Sequence, residues 1–191
     1  MIITVINEPR SGSHSFVHWI ENGDGTFEYR KKFDTIWGIA QYNITDNFIP
    51  KNIETEHLIL SYNHLAGNDY RKLIQVSDKC IFLYRENEKE QIESWVAAKR
   101  SSDFQRLYVY KEINDLINEE QTLYMKQIKK EFSELYLSNS NYFCISYEDL
   151  FYRKGIKRVV DYLNIDGLTE NGFPCGLKLR QNIINNKKEI I

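Results

Sequence analysis

Four short runs rich in β-branched and other apolar residues punctuate the chain, and between them apolar positions recur at helical spacing. Ile2 to Asn7 (IITVIN) stops at Glu8-Pro9, the pattern of a strand that ends in a turn. His57 to Tyr62 (HLILSY), Lys79 to Tyr84 (KCIFLY) and Tyr142 to Ser146 (YFCIS) read as three further buried strands. After the first run, Phe16, Val17, Trp19 and Ile20 form the buried stripe of a helix that Asn22-Gly23-Asp24-Gly25 brings to an end. Asn87 to about Ser101 carries Ile92, Trp95, Val96 and Lys99 at helical spacing. Val109 to Tyr136 is a long amphipathic stretch with Ile113, Leu116, Ile117, Tyr124, Ile128, Phe132 and Leu135 on one stripe. A turn at Ser138 to Asn141 precedes the fourth strand. Ile156, Val159, Val160 and Leu163 then fall at i, i+3, i+4 and i+7. The mixed, aromatic segment from Thr26 to Glu56 predicts loops and short elements. Strands buried on both faces and alternating with helices predict an α/β fold with a central parallel β-sheet flanked by helices.

Composition narrows the possibilities. The chain has 191 residues, of which 42% are hydrophobic and 27% charged, enough for one domain with a real core. A formal net charge of -2 gives no general attraction to nucleic acid or to anionic lipid, so any basic site must be local. Without a run of about 18 apolar residues, no transmembrane helix is expected. The apolar stretch from Met1 to Ile6 is too short for a signal peptide. Cys80, Cys144 and Cys175 lack metal-ligand spacing, and so sparse a set suits a reducing cytoplasm.

The candidate chemistry begins after the first strand. A strand, a short loop with serine and glycine, and a helix form an anion site, because the first N–H groups of a helix have no intrahelical partner. Gly12 permits close approach of an oxyanion. Ser11, Ser13 and Ser15 add hydroxyl donors, and Arg10 adds a permanent cation with a forked donor geometry. A nucleoside triphosphatase loop would need glycine, four residues, then Gly-Lys-Ser/Thr. Aligned on Gly12, the chain has Asn7, Ser13 and His14 where that pattern has glycine, lysine and the hydroxyl residue. A metal-dependent nucleotide kinase is therefore disfavoured.

Pro9-Arg10-Ser11-Gly12-Ser13-His14 resembles the 5′-phosphosulfate loop of sulfotransferases that use 3′-phosphoadenosine 5′-phosphosulfate (PAPS). Three more segments resemble that family in the same order. Leu60-Ser61-Tyr62-Asn63-His64 is similar to the segment with the catalytic histidine, which implies His64 as general base; an unperturbed imidazole suits that task at neutral pH. Leu83-Tyr84-Arg85, with Ser94 on the next helix, is similar to the 3′-phosphate motif; otherwise Arg85 would simply pair with Glu86, Glu88 or Glu90 at the surface. Ser146-Tyr147-Glu148-Asp149-Leu150 is similar to the Tyr-Glu-Asp-Leu signature, which implies that Tyr147 borders the adenine and that the acidic pair begins the next segment. With the helix from Arg153 to Asn164, the similarity covers roughly residues 2–165.

The resemblance implies a P-loop-like sulfotransferase architecture over residues 1–191, abbreviated at the carboxyl end. It implies PAPS as co-substrate, no metal, and a small-molecule or glycan acceptor: a sugar, a phenol or a tyrosyl hydroxyl. Arg10, Ser11, Gly12, Ser13, His14, Ser15, Arg85, Ser94 and Tyr147 would bind the donor, and Arg10 would share the catalytic work with His64. Nucleic acid and membrane are not expected partners, and the oligomeric state is left open. The chain departs from the family in three places. Ser15 stands where one branch has tryptophan, His14 where threonine would meet the 5′-phosphate, and the basic-glycine segment of the 3′-phosphate site is not recognisable. Lys178, Arg180, Lys187 and Lys188 form a basic tail instead. A non-catalytic module of the same fold, binding 3′-phosphoadenosine 5′-phosphate (PAP) without transfer, is the rival reading. His14 and His18, at i and i+4, share a helix face but have no evident third metal ligand. The aromatics between Thr26 and Glu56 mark the expected acceptor pocket.

Overall fold

The first strand is central. In the computed structural model, which describes residues 1–37, 54–63, 71–101, 119–137, 142–152, 155–171 and 173, the chain opens with β1 (Ile2–Asn7), α1 (Ser13–Asn22), α2 (Phe27–Arg30) and β2 (Phe33–Ile36). β3 (His57–Asn63), α3 (Arg71–Val76), β4 (Lys79–Tyr84) and α4 (Glu88–Ser101) follow. The order closes with α5 (Glu119–Leu137), β5 (Phe143–Ser146), α6 (Tyr147–Tyr152) and α7 (Ile156–Leu163). The five strands form one sheet in the order β2-β3-β1-β4-β5, and every pairing is parallel. The α/β class expected from the sequence is the class observed.

Alternation along the strands builds two cores. From β1, Ile3 and Val5 join Ile59, Ile81, Leu83 and Ile145 in a layer covered by α1, α6 and α7, through Phe16, Val17, Phe151 and Val159. Ile6 points the other way, with Leu58, Leu60 and Phe82, and is covered by Leu73 of α3 and Phe132 of α5. Side chains on alternate positions of a strand face opposite sides, so a strand covered on both must be apolar throughout. The four predicted strands are of this kind.

Differences from the expectations are local. β2 is a fifth strand; its four residues, Phe33 to Ile36, lie at the sheet edge and are at most half-buried, so they carry no strong pattern. α3 was not expected either. Tyr147 opens α6 rather than ending β5: the Ser146 hydroxyl accepts the Asp149 N–H at 3.0 Å, a capping contact that turns strand into helix. Met125 joins Ile128 and Phe132 on the buried face of α5. The part of the amphipathic stretch before Glu119 and the turn after it lie outside the described residues. α7 begins at Ile156, and Asn164 ends it with a left-handed φ of 50°.

Cys80 is buried, and burial pushes its thiol up to about 12; Cys144 is half-buried and Cys175 lies outside the described residues. Of the aromatics between Thr26 and Glu56, Tyr29 belongs to the core and Phe27 is exposed, while Tyr42 and Phe48 lie outside the described residues. Among the described residues, no helix is long and apolar enough to cross a membrane.

Candidate functional site

Parallel pairing sends every strand out at the same edge of the sheet. Asn7 is level with Asn63 of β3 and Leu83 of β4, and Tyr84 is level with Ser146 of β5. The loop after β1, the end of β3 at Asn63, Arg85 and Tyr147 therefore all lie at one edge. From β1 the chain goes to β2 and β3 on one side, and later to β4 and β5 on the other. Such a reversal opens a crevice between the two central strands, here β1 and β4, and ligands of open α/β sheets bind in it.

The loop from Glu8 to Gly12 forms one wall. Glu8 N–H donates to Leu83 O at 3.0 Å, which extends the β1–β4 pairing past the strand. Arg10 and Gly12 then take left-handed φ values of 60° and 81°. Buried Ser11 donates its hydroxyl to Glu8 O at 2.7 Å and closes the loop on itself. Gly12 is required for a second reason: a Cβ there would sit 2.9 Å from ring carbons of Phe151 and Tyr147. The first bond of α1 runs from Phe16 N–H to Gly12 O at 3.1 Å, so the amides of the first turn precede the helical ladder and face outward from it. Ser13 and Ser15 are half-buried at this end, and His14 is exposed. The His14 Nε2 lies 3.2 Å from His18 Nε2, and Trp37 packs against both rings. Desolvation, then the neighbouring His18, lowers the pKa of His14 below the usual imidazole range, with Glu21 partly offsetting. No group of three or more metal-ligating side chains occurs among the described residues.

The opposite wall leaves β4. Arg85 is 5% exposed and sits with its guanidinium 4.5 Å above the Tyr147 ring. Nη1 donates to Arg10 O at 3.2 Å and Nη2 to Glu90 at 2.8 Å. Nε is buried without a hydrogen-bond partner, 3.8 Å from the nearer oxygen of Glu148. Across the crevice, Arg10 Nε donates to Ser94 Oγ at 2.8 Å. Arg10 by itself thus joins the loop after β1 to the β4–α4 segment through two separate hydrogen bonds.

Behind this surface lies a polar cluster that sequence reasoning missed. Glu8, 3% exposed, accepts from Arg85 N–H, Gln91 Nε2 and Lys129 Nζ at 3.1, 3.1 and 3.2 Å. Lys129 of α5 also donates to Arg85 O and to Gln91 Oε1, and Gln91 Nε2 donates to Pro9 O. Glu148 accepts the N–H groups of Glu86 and Asn87 at 2.8 and 3.1 Å, fixing the turn that Arg85 begins. Charged side chains are seldom buried unless paired, and here each has its partners. Only the position of Glu8, directly after a buried strand, hinted at this. Lys129 and Gln91 read as ordinary surface positions of amphipathic helices.

The comparisons with known proteins are sparse. No family model matches the chain, and no curated protein matches it. Among solved structures, that of retinol dehydratase in a complex with retinol and PAP is similar over 90% of this chain and 62% of its own, at 15% identity and a TM-score of 0.47. This chain spans less than two thirds of that protein's length.

Of the residues singled out in the sequence, Arg10, Ser11, Gly12, Ser13, Ser15, Arg85, Ser94 and Tyr147 gather at the β1–β4 crevice. His14 lies at the same helix end but turns towards His18 and Trp37. Tyr147 packs between Arg85, Phe151 and Gly12, so its ring supports the loop directly. Arg85 takes up Glu90, one of the carboxylates the surface reading paired it with, but does so in a buried setting. His64 follows the last residue of β3 and lies outside the described residues.

Proposed function

We propose that the chain is a sulfotransferase that binds PAPS in the β1–β4 crevice and passes its sulfuryl group to an acceptor hydroxyl. One observation carries this reading. The segments assigned by motif to the two ends of the donor, around Arg10 and around Arg85 with Ser94, are in direct contact across that crevice. In this reading the donor supplies the sulfuryl group when bound, and the residues hold and orient it. Arg10 and the first-turn amides of α1 meet the 5′-phosphosulfate, where fixed donors stabilise charge that grows as the bond to sulfur breaks. Ser11 keeps the loop closed, and Ser13 and Ser15 offer hydroxyls at its rim. Arg85 and Ser94 take the 3′-phosphate, with Tyr147 bordering the base. The buried Nε of Arg85 fits this role, since it makes no hydrogen bond and its ion-pair contact with Glu148 is a long one, at 3.8 Å. His64, which follows β3 in sequence, removes the proton of the acceptor hydroxyl. Residues 1–191 act as one domain.

Thermal unfolding tests the donor class. PAP at about 100 times its Kd should raise the Tm by roughly 5–10 °C, and AMP or ATP at the same concentration by clearly less. Equal shifts from all three ligands would remove the 3′-phosphate from the reading.

A further inference from the structure

Arg85 already holds an anion. The Glu90 carboxylate lies 2.8 Å from Nη2, while the buried Nε makes no hydrogen bond and lies 3.8 Å from Glu148. Of these two prongs, Nη2 donates to a carboxylate oxygen, whereas Nε has only the longer ion-pair contact. Glu90 is placed there by its own helix. Asn87 caps α4 by accepting the Glu90 N–H at 3.1 Å, which sets Glu90 in the first turn, directly beside the end of β4. Its side chain is 28% exposed, whereas Arg85 is buried, so Glu90 lies on the solvent side of the guanidinium.

Charge makes the same point. Arg85 pairs with Glu90 and Glu148, and Lys129 pairs with Glu8. Glu8 and Glu148 are each tied down by two or more buried donors. Glu90 is the member of the set at the solvent rim. A polyanion that reaches Arg85 meets a guanidinium already paired with carboxylates until one of them leaves it.

We infer that Glu90 is an internal competitor for the Arg85 anion site and holds down its affinity for a phosphate. A phosphate displaces it, because three oxygens and close to two negative charges can occupy both prongs of the fork. A sugar hydroxyl at that position has neither, and leaves Glu90 in place. This inference rests on the donor-binding reading above. Glu90 thus lowers the affinity of the site for a ligand whose phosphate must displace it, and leaves a ligand without that phosphate unaffected.

Calorimetric titration of the full chain with PAP and with AMP tests it, for the wild type, Glu90→Gln and Arg85→Lys. Glu90→Gln keeps size and hydrogen-bonding capacity but removes the charge; it should tighten PAP about three- to tenfold and leave AMP unchanged, narrowing no other property. Glu90→Ala should act in the same direction, and circular dichroism identifies any variant that has lost the fold. If PAP affinity in both folded Glu90 variants is unchanged or weaker while Arg85→Lys still weakens PAP, Glu90 is no competitor and the donor site stands without it. If PAP and AMP bind alike and Arg85→Lys alters neither, the donor-binding reading fails, and this inference with it.

Discussion

Gly12 shows how much can depend on one missing atom. Its φ of 81° is a conformation that costs an L-residue about 1–2 kcal/mol, and the rings of Tyr147 and Phe151 leave no room for a methyl group. Gly12→Ala should therefore destabilise the chain by about 2–3 kcal/mol, read as a lower urea midpoint at unchanged slope. It should also widen the gap between the loop and α6. A wild-type midpoint would mean that the loop can relax away from the rings. The glycine was visible in the sequence as part of a phosphate-loop pattern. That it is also wedged beneath two aromatics was not, because Tyr147 and Phe151 come from the far end of the chain.

Lys129 joins three elements. From α5 it reaches Glu8 after β1, Arg85 O after β4 and Gln91 in α4, so the two walls of the crevice share one ammonium group. Lys129→Met leaves Glu8 buried without its cation, and breaking a buried pair on one side costs about 3–5 kcal/mol. Adding Glu8→Gln should return part of that loss, since the charge left unpaired is then gone. Denaturant unfolding of both single variants and the double variant forms the cycle, and strict additivity would show that the two groups are not coupled. Secondary structure was readable at this level because periodicity is local. β1, β3, β4, β5, α1, α4 and α7 each carry a pattern that their own residues dictate. β2 and α3, with four and six residues, are too short for a period to show, and depend on the neighbours they pair with or cover.

The assembled sheet turns scattered motifs into neighbours. Arg10 and Ser94 are 84 positions apart in sequence and 2.8 Å apart in space. The register that levels Asn7 with Asn63 and Leu83 brings the end of β3 to the same edge. His64→Ala should then lower sulfuryl transfer to phenolic and sugar acceptors by about 10²–10⁴-fold, while the PAP-induced rise in Tm persists. Transfer at the wild-type rate would dismiss His64 as the base, and loss of the thermal shift would give it a binding role instead.

Alternating and helical patterns were enough to specify a parallel sheet wrapped by helices, and four motifs in order were enough to suggest a nucleotide bearing phosphates at two positions. The first follows from short-range rules of strand burial and helix amphipathy; the second follows from the resemblance of those motifs to a known family. Which charges neutralise one another was not written in any local pattern. Glu8 with Lys129, and Arg85 with Glu90 and Glu148, became pairs only when packing removed water from around them. A charge in solution has no need of a particular partner, and a buried one does, so the partners emerge only with the fold.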